Sequence, residues 1–254
     1  MSGMSERPDA AAGGPSIPDK LRQRYRWLKT HSALEGTPGA FIEMQATDRI
    51  GFIADITRIL SEANGNVSYL QTWSDPDGTS HTLIQVDDEA LLRNILEKLR
   101  NVSDVGNVEI RPSHRRTFGK RIIVIGGGAQ VAQVASGAIA EADRHTIRGE
   151  AISVDTMPVV GEPELAEAVL GAGRLHRVGI VVLAGAIMGG DISRAVTALR
   201  ADYGIPVMSL KMVGSVNDVS DLVVSDPLEA GVMAVMLISH IGKFDLMRIH
   251  GRRI

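Results

Sequence analysis

Asp48-Arg49-Ile50-Gly51-Phe52-Ile53-Ala54-Asp55-Ile56-Thr57-Arg58-Ile59-Leu60 joins a polar, glycine-bearing turn to an amphipathic helix. Ahead of it, Phe41-Ile42-Glu43-Met44-Gln45-Ala46 alternates apolar and polar residues as a half-buried strand does. From Ile53 the apolar positions recur at helical spacing through Ile56, Ile59, Leu60 and Ala63. Gly51 permits a positive φ at the turn, and the first amides of the helix lack intrahelical partners, a geometry that suits a carboxylate ligand. The plain alternative is a strand-to-helix connection capped by Asp48.

Working outward, Asn64-Gly65-Asn66 ends this helix, and Val67–Trp73 and Thr79–Asp87 read as two strands joined by the turn Asp75-Pro76-Asp77-Gly78. Leu91, Leu92, Ile95, Leu96 and Leu99 share one face of a second helix, and Val105–Arg111 closes with a fourth strand. The order β-α-β-β-α-β is the ferredoxin-like unit. With its acidic residue, turn glycine and Asn66-Val67 step, this stretch resembles the ACT family of small amino-acid-sensing domains across residues 40–112. The resemblance implies paired domains, hence a homodimer, with an amino-acid effector held between them. Asp48, Arg49, Ile50, Gly51 and Phe52 of the turn would contact it, with Asn66 and Val67 at the second strand. Ile50 stands where many members have proline, which makes the turn less rigid, and many ACT domains pair without any ligand.

At 254 residues the chain has room for two compact domains. A net charge of -3 supplies no field for nucleic acid, so no nucleic-acid partner is expected. Aromatics make up only 4%, which leaves Val, Ile, Leu, Ala and Met to build the cores. The absence of cysteine excludes disulfides and thiolate metal sites and fits a reducing interior. The N-terminus lacks a signal-peptide core, and the apolar run Ala230–Ile241 is too short to span a bilayer, so a cytoplasmic protein without a membrane partner is expected.

The expected divisions are a disordered leader at 1–18, a basic amphipathic helix and linker at 19–36, the ACT-like domain at 37–112 and a second domain at 113–254. In the basic helix Leu21, Tyr25 and Leu28 share a face, while Lys20, Arg22, Arg24, Arg26 and Lys29 carry charge without an acid between them. Such a helix either meets an acidic partner or packs its apolar stripe on its own domain.

Beyond the boundary at Pro112–Gly119 the period changes. Arg121–Ile125 reads as a buried parallel strand, then come Gly126-Gly127-Gly128-Ala129-Gln130 and a helix over 131–142. Glu150–Asp155, Val178–Leu183, Pro206–Leu210 and Asp221–Val224 read as further strands. Helices are expected over 164–170, from Asp191 to 201, and from Pro227 to 241 with Asp226 as N-cap. The alternation predicts an α/β, doubly wound, mostly parallel, Rossmann-like sheet, with its ligand crevice beyond the carboxyl ends of the strands. Asp155, Gly185, Asp191, Lys211, Ser215, Asn217, Ser225 and Asp226 are the strand-end candidates.

Gly126, Gly127, Gly128, Ala129 and Gln130 form the cofactor candidate, because glycines at a helix start let amides approach a phosphate. NAD(P) or another phosphate-bearing ligand would sit there, with Asp155 on a ribose hydroxyl. The match to G-x-G-x-x-G is incomplete, since Val131 takes the third glycine position. Ala184–Gly190 is a second glycine-rich turn without the Gly-Lys-Ser/Thr ending of a P-loop. The seven histidines are isolated, so no metal site is expected.

The whole arrangement resembles an archaeal family, methanogens included, in which an ACT domain precedes a domain of unknown function. The preferred reading is an amino-acid-sensing regulatory protein of amino-acid metabolism whose second domain binds a small ligand or nucleotide. One rival is an ACT-regulated reductase, transferase or lyase with Asp155, Lys211 or Asp226 as acid-base groups and no assigned catalytic residue. Another is a ligand-free assembly module.

Overall fold

The computed structural model describes residues 14–32, 40–86 and 88–254. The expected leader up to residue 13 and the linker residues 35–39 lie outside the described residues. The chain forms two compact units: residues 33–119, and the N-terminal stretch up to Ser32 together with Lys120–Ile254.

In the first unit, strands β1 (Ala40–Thr47), β2 (Val67–Ser74), β3 (Thr79–Val86) and β4 (Val105–Pro112) alternate with helices α2 (Phe52–Glu62) and α3 (Glu89–Arg100). The strands form one antiparallel sheet in the order β2-β3-β1-β4, the ferredoxin-like arrangement of an ACT domain. Period-2 alternation turns Ile42, Met44 and Ala46 of β1 and Ile84 and Val86 of β3 to one face. Phe52, Ile56 and Leu60 of α2 and Leu92, Ile95 and Leu99 of α3 cover that face. A short helix α4 (His114–Phe118) follows β4; its His114 ring packs on Phe41 and Tyr69.

The second unit is a five-stranded parallel sheet of β5 (Lys120–Gly126), β6 (Ile152–Pro158), β7 (Val178–Ala184), β8 (Val207–Leu210) and β9 (Leu222–Val224). Its order β6-β5-β7-β8-β9 is the doubly wound sequence 2-1-3-4-5. Residues alternating along β5 and β7 feed two cores. Ile122, Val124, Ile180 and Val182 meet α5 (Gly128–Thr146) and α9 (Pro227–Ile238). Ile123, Ile125, Val181 and Leu183 meet α6 (Glu162–Arg174) and α7 (Asp191–Ala198).

The basic helix α1 (Asp19–Thr30) belongs to this second unit. Leu21, Tyr25 and Leu28 are buried as the stripe predicts. The cations on its flanks serve carbonyl groups of the same unit. Arg24 donates to Val178 O at 2.7 Å, and Lys29 donates to Ser239 O at 2.6 Å and Gly242 O at 2.8 Å. Burial and the neighbouring Lys120 charge push the Lys29 amine down to about 8.

Several element ends differ from the sequence reading for identifiable reasons. Strand β6 runs on to Pro158 rather than ending at Asp155, because Thr156, Met157 and Pro158 pair with Val124, Ile125 and Gly126. Pro158 is tolerated there since β6 is an edge strand. Helix α5 takes Gly128 into its first turn and reaches Thr146. Helix α9 stops at Ile238 rather than 241, where Lys120 Nζ donates a hydrogen bond to Ile238 O at 3.0 Å and Lys29 Nζ donates to Met236 O and Ser239 O. These ammonium groups satisfy end carbonyls of the kind a helix terminus leaves open. Helix α7 passes through a π-helical turn, Leu199–Tyr203, before Gly204 ends it at φ 64.

Candidate functional site

Two places merit comparison: the turn ahead of α2, and the carboxyl ends of the parallel strands. At the turn, Gly51 sits at φ 85, left-handed as its residue type allows. No side chain caps α2, and the amides of Ile53 and Ala54 make no hydrogen bond among the described residues. The neighbouring side chains hold one another. Arg49 donates to Asp55 at 2.7 Å and to Asp104 at 3.0 Å, and the Asp48 carboxylate accepts from Ser74 Oγ at 2.9 Å. The Arg49 hydrogen bond holds the Asp55 carboxyl below its usual range. With Arg49 doubly engaged, an anion at this turn meets backbone amides and the helix dipole first. Phe52 is buried, while Ile50 is fully exposed at 101%.

Asn66 and Val67 lie at the opposite end of the unit. The turn touches the end of β2 through Ser74, whereas Val67 begins that strand. Seven residue steps along a strand span about 23 Å. One copy of the chain therefore does not bring the two halves of the sequence-derived effector set together. Strand β2 is an edge strand that leaves Leu70 and Trp73 exposed at 38% and 40%.

In the second unit the strand order reverses between β5 and β7, with Gly126 beside Ala184. Gly126 adopts φ 142, and an added Cβ would lie 1.9 Å from Ala184 O, so this position excludes a side chain. Gly127 and Gly128 face open space, with nothing within 4 Å of an added Cβ. No side chain caps α5, and the amides of Gly128, Ala129 and Gln130 make no hydrogen bond among the described residues. Gln130 Oε1 is buried and has no hydrogen-bond partner among the described residues. Val131, at the third glycine position of the fingerprint, is packed in the core.

The second glycine turn differs. Glu162 Oε1 accepts from the Asp191 amide at 2.6 Å, so a carboxylate from α6 already occupies the start of α7. Asp191 is ion-paired with Arg194, and Gly185 packs against Met188. The sequence reading did not identify Glu162. Its position just after Gly161 looks like an ordinary acidic first turn, and only the fold carries it to α7.

Asp155 lies within β6, three residues before the strand end, ion-paired with Arg121. Lys211 is exposed after β8, and its amide donates to Val224 O at 2.8 Å. The Ser225 amide donates to Ile254 O at 2.6 Å, and Asp226 caps α9 through the Glu229 amide at 2.8 Å. Ser215 meets Ser193 Oγ at 2.8 Å, and Asn217 donates to Met212 O at 2.7 Å. Strands β6 and β9 are the two edges of the sheet. Four strand spacings put them about 19 Å apart, so Asp155 and Asp226 do not converge on one reacting atom. Among the described residues no group of three or more His, Asp or Glu is placed to hold a metal ion, and no helix is long and apolar enough to cross a membrane.

The fold of residues 40–112 defines the class, an ACT-domain protein. Residues 40–104 match the ACT-domain family model, and residues 111–253 match that of a domain of unknown function, DUF5612. The chain belongs to this second family, in which the ACT domain precedes the parallel α/β unit. It is 50% identical over 212 residues to the uncharacterized protein MJ1458 of Methanocaldococcus jannaschii, covering 83% of this chain and 97% of that one. An uncharacterized protein of Archaeoglobus fulgidus is 50% identical over 213 residues, with 82% and 96% covered. Among solved structures, a formyltetrahydrofolate deformylase from Pseudomonas syringae aligns with TM-score 0.31 at 18% identity, covering 59% of this chain and 57% of that one. The ACT domain of the GTP pyrophosphokinase of Chlorobium tepidum aligns with TM-score 0.24 at 28% identity, covering 28% and 95%.

Proposed function

We propose that this chain is a regulatory protein of amino-acid metabolism whose ACT domain binds an amino acid across a homodimer seam, while its α/β unit binds a phosphate-bearing small ligand at the start of α5. The observation carrying the first half is the separation of the Gly51 turn from Asn66-Val67 along the open edge strand β2. Antiparallel pairing of β2 with its copy about a two-fold axis at Leu70 sets Ser74 of one chain opposite Asn66 of the other, since opposed residues must share a face. Each turn then lies beside the Asn66 of the second copy, and two equivalent composite sites form. The effector carboxylate meets the Ile53 and Ala54 amides, and Asn66 fixes its amino or carboxylate group.

Calorimetry of the full chain against the twenty amino acids tests this: at least one gives saturable heat with one site per chain. Asn66→Ala is expected to weaken that effector about ten- to a hundredfold, the range for losing a hydrogen bond to a charged group. Silence across all twenty would remove the sensing reading.

In the α/β unit, the three free amides of α5 and the open space beside Gly127 and Gly128 support a phosphate, whereas Glu162 already fills the corresponding place at α7. The ribose half of a dinucleotide site is less well supplied, because Asp155 is held by Arg121 inside β6. Gly128→Glu places a carboxylate at the α5 start without a steric clash. It is expected to abolish binding of AMP or NAD(P) in equilibrium dialysis and to leave stability unchanged or raised by about 0.3–1 kcal/mol through the helix dipole. Undiminished nucleotide binding in that variant would move the site elsewhere.

A further inference from the structure

A cavity of about 320 Å³ opens at the far end of the ACT unit, lined by Ala40, Leu92, Ile110 and Pro112 and by three arginines, Arg93, Arg111 and Arg116. Arg111 is answered by Glu43 at 3.0 Å and by Glu109. Among the described residues Arg93 and Arg116 have no ion-pair or side-chain hydrogen-bond partner, and no acidic residue lines the cavity. Two uncompensated guanidinium groups facing one small space repel each other and draw in an anion. The planar fork of arginine matches the oxygens of a phosphate. The remaining walls are aliphatic, with Ile110 39% exposed. The volume lies at the small end of ligand sites, which run from about 300 to 1,000 Å³.

The geometry points to a second ligand site in the ACT domain, in which Arg93 and Arg116 bind the phosphate dianion of a small organic phosphate whose body packs on Leu92, Ile110 and Pro112. It is separate from the proposed amino-acid site. Ala40 begins β1 and the Gly51 turn follows its end, so about 23 Å of strand lies between them.

The test is calorimetry of the full chain carrying Gly128→Glu, which removes the α5 start as a phosphate site, with phenyl phosphate, inorganic phosphate and succinate as probes. Phenyl phosphate is expected to bind one per chain, several-fold tighter than inorganic phosphate and more tightly than succinate, and to weaken as salt rises. Arg93→Gln and Arg116→Gln should each weaken it about tenfold, and the pair should abolish it, while Lys98→Gln, an exposed cation outside the cavity, leaves it unchanged. Both arginines are exposed, so the melting temperatures of their variants serve as the check on folding. Absence of phenyl phosphate binding, equal loss in Lys98→Gln, or full binding in Arg93→Gln/Arg116→Gln overturns the assignment. Preference for succinate overturns its phosphate class.

Discussion

Replacing Lys120 with methionine is expected to cost about 3–5 kcal/mol of stability, the range for removing one partner of a buried ion pair. Lys120 and Glu150 are both wholly inaccessible, with Nζ 2.7 Å from Glu150 Oε1. The ammonium group also donates to Leu28 O at 2.7 Å and Ile238 O at 3.0 Å, so its three protons serve β6's approach, α1 and α9 together. Methionine fills a similar volume but takes the donor away from two carbonyls and leaves the Glu150 carboxylate, among the described residues, with the His240 ring beside it. Measured by urea unfolding, the midpoint should fall with the slope unchanged. Lys120→Met/Glu150→Leu should recover most of the loss, because no isolated charge then remains in the interior. Equal destabilisation in the single and double variants would assign the effect to packing.

Asp221→Ala is expected to act on a similar scale, about 3–5 kcal/mol, through a different network. The Asp221 carboxylate accepts from Arg200 Nε at 3.0 Å and Nη2 at 2.7 Å and from the Val207 amide at 2.8 Å, with His250 Nε2 at 3.1 Å. Asp221 is inaccessible and Arg200 only 3% exposed, so alanine strands a guanidinium in the interior. Arg200 also donates to Ser16 O at 3.0 Å, and the Gly251 amide donates to Asp221 O at 2.8 Å. The segments around Ser16 and Gly251 should therefore lose protection together: hydrogen exchange at residues 14–18 and 246–254 should accelerate more than in α5. Asp221→Asn keeps an acceptor for Val207 and should cost less. Exchange that rises uniformly over the whole unit would mean that Asp221 supports the fold globally rather than tying down these two segments.

The readable parts of this chain are those governed by neighbours in sequence. The Asp48–Leu60 stretch shows its turn because Gly51 is the residue that takes φ 85 at little cost, and its helix because Ile56 and Leu60 fall on one stripe. Asp226-Pro227 announces the start of α9 by a cap that the structure reproduces in the Asp226 to Glu229 hydrogen bond. In the Gly126–Gln130 loop the glycines are legible but not their several roles: Gly126 lies against Ala184 across the sheet, whereas Gly127 and Gly128 face open space.

Other features could not be read because their partners are remote and their residue types ordinarily lie in water. Lys29 and Lys120 look like surface cations, yet they terminate α9 from 207 and 118 positions away. Glu162 looks like a first-turn acid and is the cap of another helix. Arg93 and Arg116 are unremarkable in sequence and become a pair only when α3 and α4 meet at one cavity.

By itself the sequence determined the order of the strands and of the long helices, the two architectures and the places where glycine opens the backbone, because dihedral preference and hydrophobic period act over a few residues; the short helix at His114–Phe118, read as a boundary, was not among them. The tertiary structure alone decided that α1 belongs with the α/β unit and that one helix start is open while the other is closed by Glu162. It also decided that Gly51 and Asn66 stand at opposite ends of one copy. Those outcomes depend on charges and carbonyls brought together through space, which no local pattern along the chain encodes.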